Sequence, residues 1–149
     1  MSASVPERVA ASELHQIRRD ILRRGTPTDD VEFPTDADLA TVHLAVRDGD
    51  GAVIAAASWN EAECPEHPGR RALQLRGMAV ADTHRRCGLG VILVEAGVAL
   101  AVRREIGLLW ANARDTALDF YLRQGFSVVG AGFLTADTQL PHHRVVRQL

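Results

Sequence analysis

Hydrophobic residues form three strand-length stretches in the first half of the chain, two of them alternating with polar ones. Thr41 to Arg47 sets Val42, Leu44 and Val46 against Thr41, His43 and Arg47; Ala52 to Trp59 is a second apolar run, and Leu73 to Val80 a third. Period-two patterning of this length predicts strands. Asp48-Gly49-Asp50-Gly51 lies between the first two, and paired Asp-Gly steps predict a hairpin turn. Asn60 to Gly69, with Pro65 and Pro68, reads as the loop back into the third strand, so three antiparallel strands are expected in succession. Upstream, Val5 to Ala10 reads as a short first strand. Ser12 then offers a helix N-cap, with Leu14, Ile17 and Ile21 on one face and Arg18, Arg19 and Asp20 elsewhere. Arg23, Arg24, Gly25 and Pro27 supply the end of that helix.

Beyond the third strand the period changes. Ala81 to Gly90 is a polar turn, and Val91 to Val102 is apolar nearly all round, which predicts a helix buried between the sheet and other elements. Leu108 to Ala111 reads as a short strand parallel to Leu73–Val80, because strand, crossover helix and strand imply right-handed parallel pairing. Asp115 or Thr116 caps a further helix with Ala117, Leu118, Tyr121 and Leu122 on one face, ending at Gly125. Phe126 to Val129 and Arg144 to Leu149 read as closing strands joined through the loop from Gly130 to Pro141. The expected fold is a single mixed α/β domain over residues 1–149, with a mixed central sheet of about six to seven strands and helices on both faces.

Composition narrows the partners more than the fold. The chain has 149 residues, 46% hydrophobic, enough for one core and not two. Its net charge of -2 gives no global basic field for nucleic acid. Cys64 and Cys87 are the only cysteines and form no C-x-x-C, which favours a reducing, cytoplasmic setting. The start, Met1-Ser-Ala-Ser-Val-Pro-Glu-Arg, lacks the apolar stretch of a secretory signal. Val91–Val102 is interrupted by Glu95 and too short to span a bilayer.

The candidate chemistry gathers in the turn Arg85-Arg86-Cys87-Gly88-Leu89-Gly90. Its glycines let backbone N–H groups converge where a Cβ would collide with a close ligand, and a turn of this kind at a helix N-terminus is an anion site. The two arginines add donors suited to a pyrophosphate. A Walker loop is excluded because no Lys-Ser/Thr follows the second glycine, and G-x-G-x-x-G because Leu93 stands at the third glycine. What is left is the R/Q-x-x-G-x-G/A pattern of the GNAT-superfamily N-acetyltransferases. Met78-Ala79-Val80 before the loop, Trp110-Ala111-Asn112-Ala113-Arg114 after it, and Ala117 to Phe126 resemble that family's cofactor strand, splayed strand and A-x-x-F-Y-x-x-x-G-F helix, in that order.

The resemblance implies acetyl-CoA as co-substrate. Arg85, Arg86, Cys87, Gly88, Leu89 and Gly90 would take the pyrophosphate. The backbone of Met78, Ala79 and Val80 would pair with the pantetheine arm as with an added strand, and Asn112 would bond the cofactor's amides. Tyr121, the one tyrosine in the chain, matches the family tyrosine that protonates the departing thiolate. Asn112 also reads as a polar strand terminator, and Tyr121 as a core residue. The resemblance further implies transfer to a primary amine of a small molecule or peptide by direct attack; a catalytically silent coenzyme A-binding sensor or complex subunit is the alternative. A homodimer is allowed.

A general base is not legible. The central strands carry Gln74, Arg76 and Trp110 where many family members have a glutamate, leaving Glu61, Glu63, His84 or a water relay. Cys87 has no adjacent base. Cys64-x-x-His67 with His142-His143 lacks structural-zinc spacing, so no metal is expected. The acidic loop with Asp29, Asp30, Glu32, Asp36 and Asp38 reads as a solvated face, or as an attractor for a cationic acceptor.

Overall fold

The computed structural model describes residues 5–149; the first four residues of the polar start, read as carrying no secretory segment, lie outside them. One sheet of seven strands runs through the molecule in the order β1-β2-β3-β4-β5-β7-β6. The strands are β1 (Glu7–Val9), β2 (Val42–Arg47), β3 (Val53–Glu61), β4 (Leu73–Val80), β5 (Leu108–Arg114), β6 (Ser127–Leu134) and β7 (Pro141–Gln148). Only β4 and β5 pair in parallel. The Asp-Gly hairpin forms where expected, with the Asp48 N–H donating to the Ala52 carbonyl at 2.9 Å.

Alternation along the strands gives the sheet two apolar faces. Leu44, Val46, Ala55, Ala57, Leu75, Leu109 and Ala111 pack under α2 (Leu89–Arg103) and α3 (Leu118–Arg123). Ala45, Ala56 and Ala79 face Leu14 and Ile17 on the other side, where Ile17 belongs to α1 (His15–Ile17). Helices therefore cover both faces, as the patterning predicts. Gly97 in α2 makes room for an aromatic ring: a Cβ there would stand 2.1 Å from Trp59, whose indole N–H donates to the Leu93 carbonyl.

Several boundaries differ from the sequence reading. The first helix is not a regular helix from Ser12 to Arg24 but a segment of three pitches: a 3-10 turn (Ala11–Leu14), α1, and a π turn (Arg18–Leu22). Its N-cap is Ala10, without a side-chain cap. Arg18 is 1% exposed. It stands four residues after Leu14 and therefore shares that buried face, a consequence of helical spacing that its charge obscured. Asp115 does not cap α3 by a side-chain bond; it pairs instead with His143 Nδ1 at 2.6 Å. Leu122, expected on the buried face of α3, is 49% exposed.

The last three strands are longer than local pattern suggests. β5 continues to Arg114 because it pairs with β7 from Leu108↔Gln148 to Arg114↔His142. Half of the expected Gly130–Pro141 loop is strand, with an irregularity between Val129 and Phe133 where Gly130 and Gly132 interrupt the ladder. Long-range pairing imposes these extensions, and no local propensity announces them.

Candidate active site

The parallel pair opens into a wedge. β4 and β5 are in register only at Leu73↔Leu109, Gln74↔Trp110 and Leu75↔Ala111. Beyond that point the chain from Arg76 to Val80 has no ladder partner on its β5 side. The cause lies in β4: Ser58 pairs with Arg76 and Ala56 with Ala79, so Ala57 faces both Gly77 and Met78. That is a bulge, and Gly77 meets its backbone requirement with φ +62. A Cβ on Gly77 would also lie 2.5 Å from Cε2 of Phe33, so the bare backbone is a seat for that ring. An isolated glycine inside an alternating strand was the available signal.

The wedge opens onto a cavity of about 220 Å³ whose walls include Gln74, Leu75, Arg76, Met78, Asn112 and Tyr121. Asn112 is exposed and stands within β5, which runs on to Arg114, so it does not terminate the strand. Tyr121 is 5% exposed and makes T-shaped contacts with Phe120 and Phe126, at 5.3 Å between ring centroids in each case. It is thus both a core residue and a wall of the cavity. Burial pushes its phenol pKa well above the usual value, so the hydroxyl keeps its proton across the neutral range. It can donate a proton or hydrogen bond but not act as a base. Gln74, where a carboxylate base would be sought, is buried and accepts a bond from Asn60 Nδ2 at 3.2 Å.

The glycine loop follows directly from β4. Arg86 and Gly88 have left-handed backbones, φ 62 and φ 79, a geometry that curls a loop so that N–H groups converge. Gly88 is the N-cap of α2 and offers no side-chain cap; the first N–H groups of the helix are thereby left for another acceptor. A Cβ on Gly88 would meet nothing within 4 Å, whereas one on Gly90 would touch the Phe120 ring at 3.0 Å. The two glycines therefore do different work: Gly88 faces open space, and Gly90 lets α2 pack on α3. Arg85, Arg86 and Cys87 are exposed and Leu89 is buried. Arg85 and Arg24 share Asp82, at 2.8 and 2.6 Å.

On the opposite side of the wedge the acidic loop is structural. The Arg18 guanidinium donates to both Asp36 carboxylate oxygens, to the Val31 carbonyl and to Ser58 Oγ. It also stacks on Phe33 at 3.8 Å. Burial pushes the Asp36 carboxyl up, but bonds from Arg18 and the Phe33 N–H outweigh it and hold it below the ordinary value. Asp30 and Asp38 cap turns by accepting from the Glu32 and Ala40 N–H groups. Three of the five carboxylates are thus engaged within the fold. The cavity wall instead carries Arg23, Arg76 and Arg114, with Asp137 as its one carboxylate. None of these four is assigned to the site from sequence: Arg23 reads as part of a helix end, Arg114 as the close of the segment resembling the splayed strand, and Arg76 as a residue in the place of a base. His142 also reaches the cavity, while His143 is held by Asp115. Among the described residues, no group of His, Cys, Asp or Glu is placed to hold a metal ion. No helix among them is long and apolar enough to cross a membrane.

The family model for the acetyltransferase (GNAT) family matches residues 11–126. This chain belongs to the GNAT family. As such it is an acyl-CoA N-acyltransferase. No curated protein matches the chain. Among solved structures, the GNAT fold recurs in a putative N-acetyltransferase from Lactobacillus plantarum, 16% identical over 99% of each chain with a TM-score of 0.79. An acetyltransferase of the GNAT family from Staphylococcus aureus is 15% identical over 99% of each chain, TM-score 0.77. An acyl-CoA N-acyltransferase from Pseudomonas aeruginosa is 20% identical over 97% of this chain and 99% of its own, TM-score 0.74. Identities this low carry the fold alone. The GNAT match stops at Phe126, so β6, β7 and the Asp137 turn between them lie beyond it.

Proposed function

We propose that this GNAT chain transfers an acetyl group from acetyl-CoA to a primary amine by direct attack in the wedge between β4 and β5. The observation that carries the reading is continuity: the unpaired edge from Arg76 to Val80 leads into the Arg85–Gly90 loop, and its other end opens on Tyr121. The residues fit the co-substrate. The segment Met78-Ala79-Val80 presents the backbone groups of its β5-facing edge to the pantetheine amides, its other edge being paired with β3. Gly88 offers open space and α2 its N-terminal N–H groups to the pyrophosphate, with Arg85 and Arg86 beside them. Asn112 faces the same gap from β5.

In the reaction the amine nitrogen attacks the thioester carbonyl carbon. The C–N bond forms, the C–S bond breaks, and the thiolate is protonated through the Tyr121 hydroxyl, which regains a proton from solvent as the nitrogen releases its own there. No carboxylate of raised pKa lines the cavity, so the neutral fraction of the amine sets the rate. Below the amine's own pKa, kcat/KM should rise about tenfold per pH unit. The test is thiol release from acetyl-CoA across an amine panel, beside calorimetry of acetyl-CoA binding. Absence of binding overturns the reading. Binding without thiol release from any amine favours the silent coenzyme A-binding alternative.

A further inference from the structure

The acceptor side of the cavity has an unbalanced charge. Three guanidinium groups, from Arg23, Arg76 and Arg114, share a wall with one carboxylate, from Asp137. Asp137 is 3.7 Å from Arg23 Nη2, its nearest cationic partner. Arg23 Nε also donates to the Asp30 carbonyl, and Arg114 Nη2 to the Leu22 carbonyl. These bonds aim the two side chains without neutralising them. Among the described residues, Arg76 makes no hydrogen bond or ion pair, and its guanidinium lies 5.3 Å from the Phe33 ring centroid. Arg76 and Arg114 are both half-buried, and loss of hydration pulls both guanidinium pKa values down. Three like charges gathered in partial burial with one carboxylate among them repel, and an anion would relieve the cost.

The phosphates of the co-substrate are not that anion. Arg76 lies four residues before the end of β4, about 13 Å along the strand from Val80, and the glycine loop begins farther on. We propose that the amine acceptor carries a carboxylate, which Arg76 holds with Arg23 and Arg114, so that the substrate class is amino acids or closely related amino-carboxylates. A planar monoanion matches the guanidinium fork, and Asp137 in the same wall disfavours a dianion such as phosphate. The cavity, about 220 Å³, suits a single small molecule. This inference rests on the wedge being the site of acetyl transfer. The same carboxylate chemistry could arrive on the acyl group, and the test separates the two sources.

The experiment uses the whole chain and a panel of amino acids, each matched with its amide and with the amine lacking the carboxylate. Thiol release is followed with acetyl-CoA and with succinyl-CoA, and acetyl-CoA binding is measured separately by calorimetry. With acetyl-CoA, the best amino acid should exceed its amide in kcat/KM by at least about 100-fold, since a site built to bond a group rejects analogues without it. Arg76→Gln should cut that preference at least tenfold, mainly through acceptor KM, and leave acetyl-CoA affinity unchanged. Because the substitution removes an uncompensated charge, its Tm should not fall; Arg114→Gln gives a second, independent loss of preference. Amides used as well as acids, or a preference untouched by both variants, would each overturn the inference, whereas acetyl-CoA binding with no amine of the panel consumed would overturn the proposed transfer itself. A carboxylate requirement met only by succinyl-CoA would overturn it in favour of the acyl group. Failure of acetyl-CoA binding itself would instead overturn the proposed function.

Discussion

The two sides of the wedge are built on different principles. The proposed co-substrate side is local: β4, the Arg85–Gly90 loop and α2 follow one another in sequence and present mostly backbone. The proposed acceptor side is assembled from Arg23, Phe33, Arg76, Arg114 and Asp137, which are brought together from five separate segments and present side chains. One side falls wholly within the GNAT match, while the Asp137 turn of the other lies beyond it. Backbone recognition tolerates divergence in side chains, so a common handle such as coenzyme A can be kept while the acceptor wall is rebuilt.

The sharpest way to break that contrast is at the two glycines of the loop. Gly88→Val puts a side chain into open space where the pyrophosphate is expected, in a left-handed backbone that costs about 1–2 kcal/mol for a non-glycine residue. Acetyl-CoA affinity should fall at least 1000-fold, with the protein still folded; calorimetry and a melting curve read the two effects. Gly90→Val should do the reverse. It drives into Phe120 and should lower stability by about 1–3 kcal/mol, with a smaller loss of affinity in the protein that remains folded. Equal affinity losses with equal melting shifts would erase the distinction between them.

On the acceptor side the matching lever is Arg18. Arg18→Met leaves part-buried Asp36 without its partner and should cost about 2–3 kcal/mol by denaturant unfolding. Arg18→Met with Asp36→Asn together should recover part of that loss. The pH dependence follows in sign. The Asp36 carboxyl is held below its unfolded value, so its contribution is present above about pH 4, where the unfolded carboxyl ionises. That contribution is lost as pH falls through the lower folded value, and Asp36→Asn should flatten this part of the acid-stability curve.

This contrast also explains what could be read from the chain. The glycine loop, the strand before it and the helix after it were legible because their signals lie within a few residues of one another. Gly77 lay in view as an interruption of an alternating strand, but its partner Phe33 is 44 positions earlier and had no visible link to it. Arg18 was set aside as a surface charge because its compensation comes from Asp36, Ser58 and Val31, none of them on its own helix. That Arg114 and Asp137 share a wall had no local signal for the same reason: β5 extends as far as Arg114 only through its ladder with β7.

Tyr121 stands where the two sides meet, and its substitution sharpens the comparison by leaving both walls in place. Tyr121→Phe keeps the ring contacts with Phe120 and Phe126 and removes only the hydroxyl. Turnover should fall about 100-fold, in the range of a general acid, with acetyl-CoA affinity and Tm nearly unchanged. Single-turnover thiol release is the suitable measurement. Wild-type turnover in the Phe variant would leave Tyr121 as a packing residue and return the thiolate's proton to solvent.

The smallest effect is expected at the acidic loop, which the sequence reads as a solvated face or as an attractor for a cationic acceptor. Asp36 is bound by Arg18, and Asp30 and Asp38, though exposed, each accept a backbone N–H in a turn; Asp29 and Glu32 are the exposed carboxylates of that loop without a side-chain bond among the described residues. Exposed charges are screened beyond about 10 Å at 0.1 M salt, and isolated ones contribute little. Asp29→Asn with Glu32→Gln should therefore change acceptor KM by less than about twofold, at low salt as at high salt. The guanidinium wall is half-buried and screened less, so its influence on the acceptor should persist under the same conditions. A severalfold rise in acceptor KM at low salt in the double variant would restore the acidic loop as a steering surface, and with it a cationic acceptor.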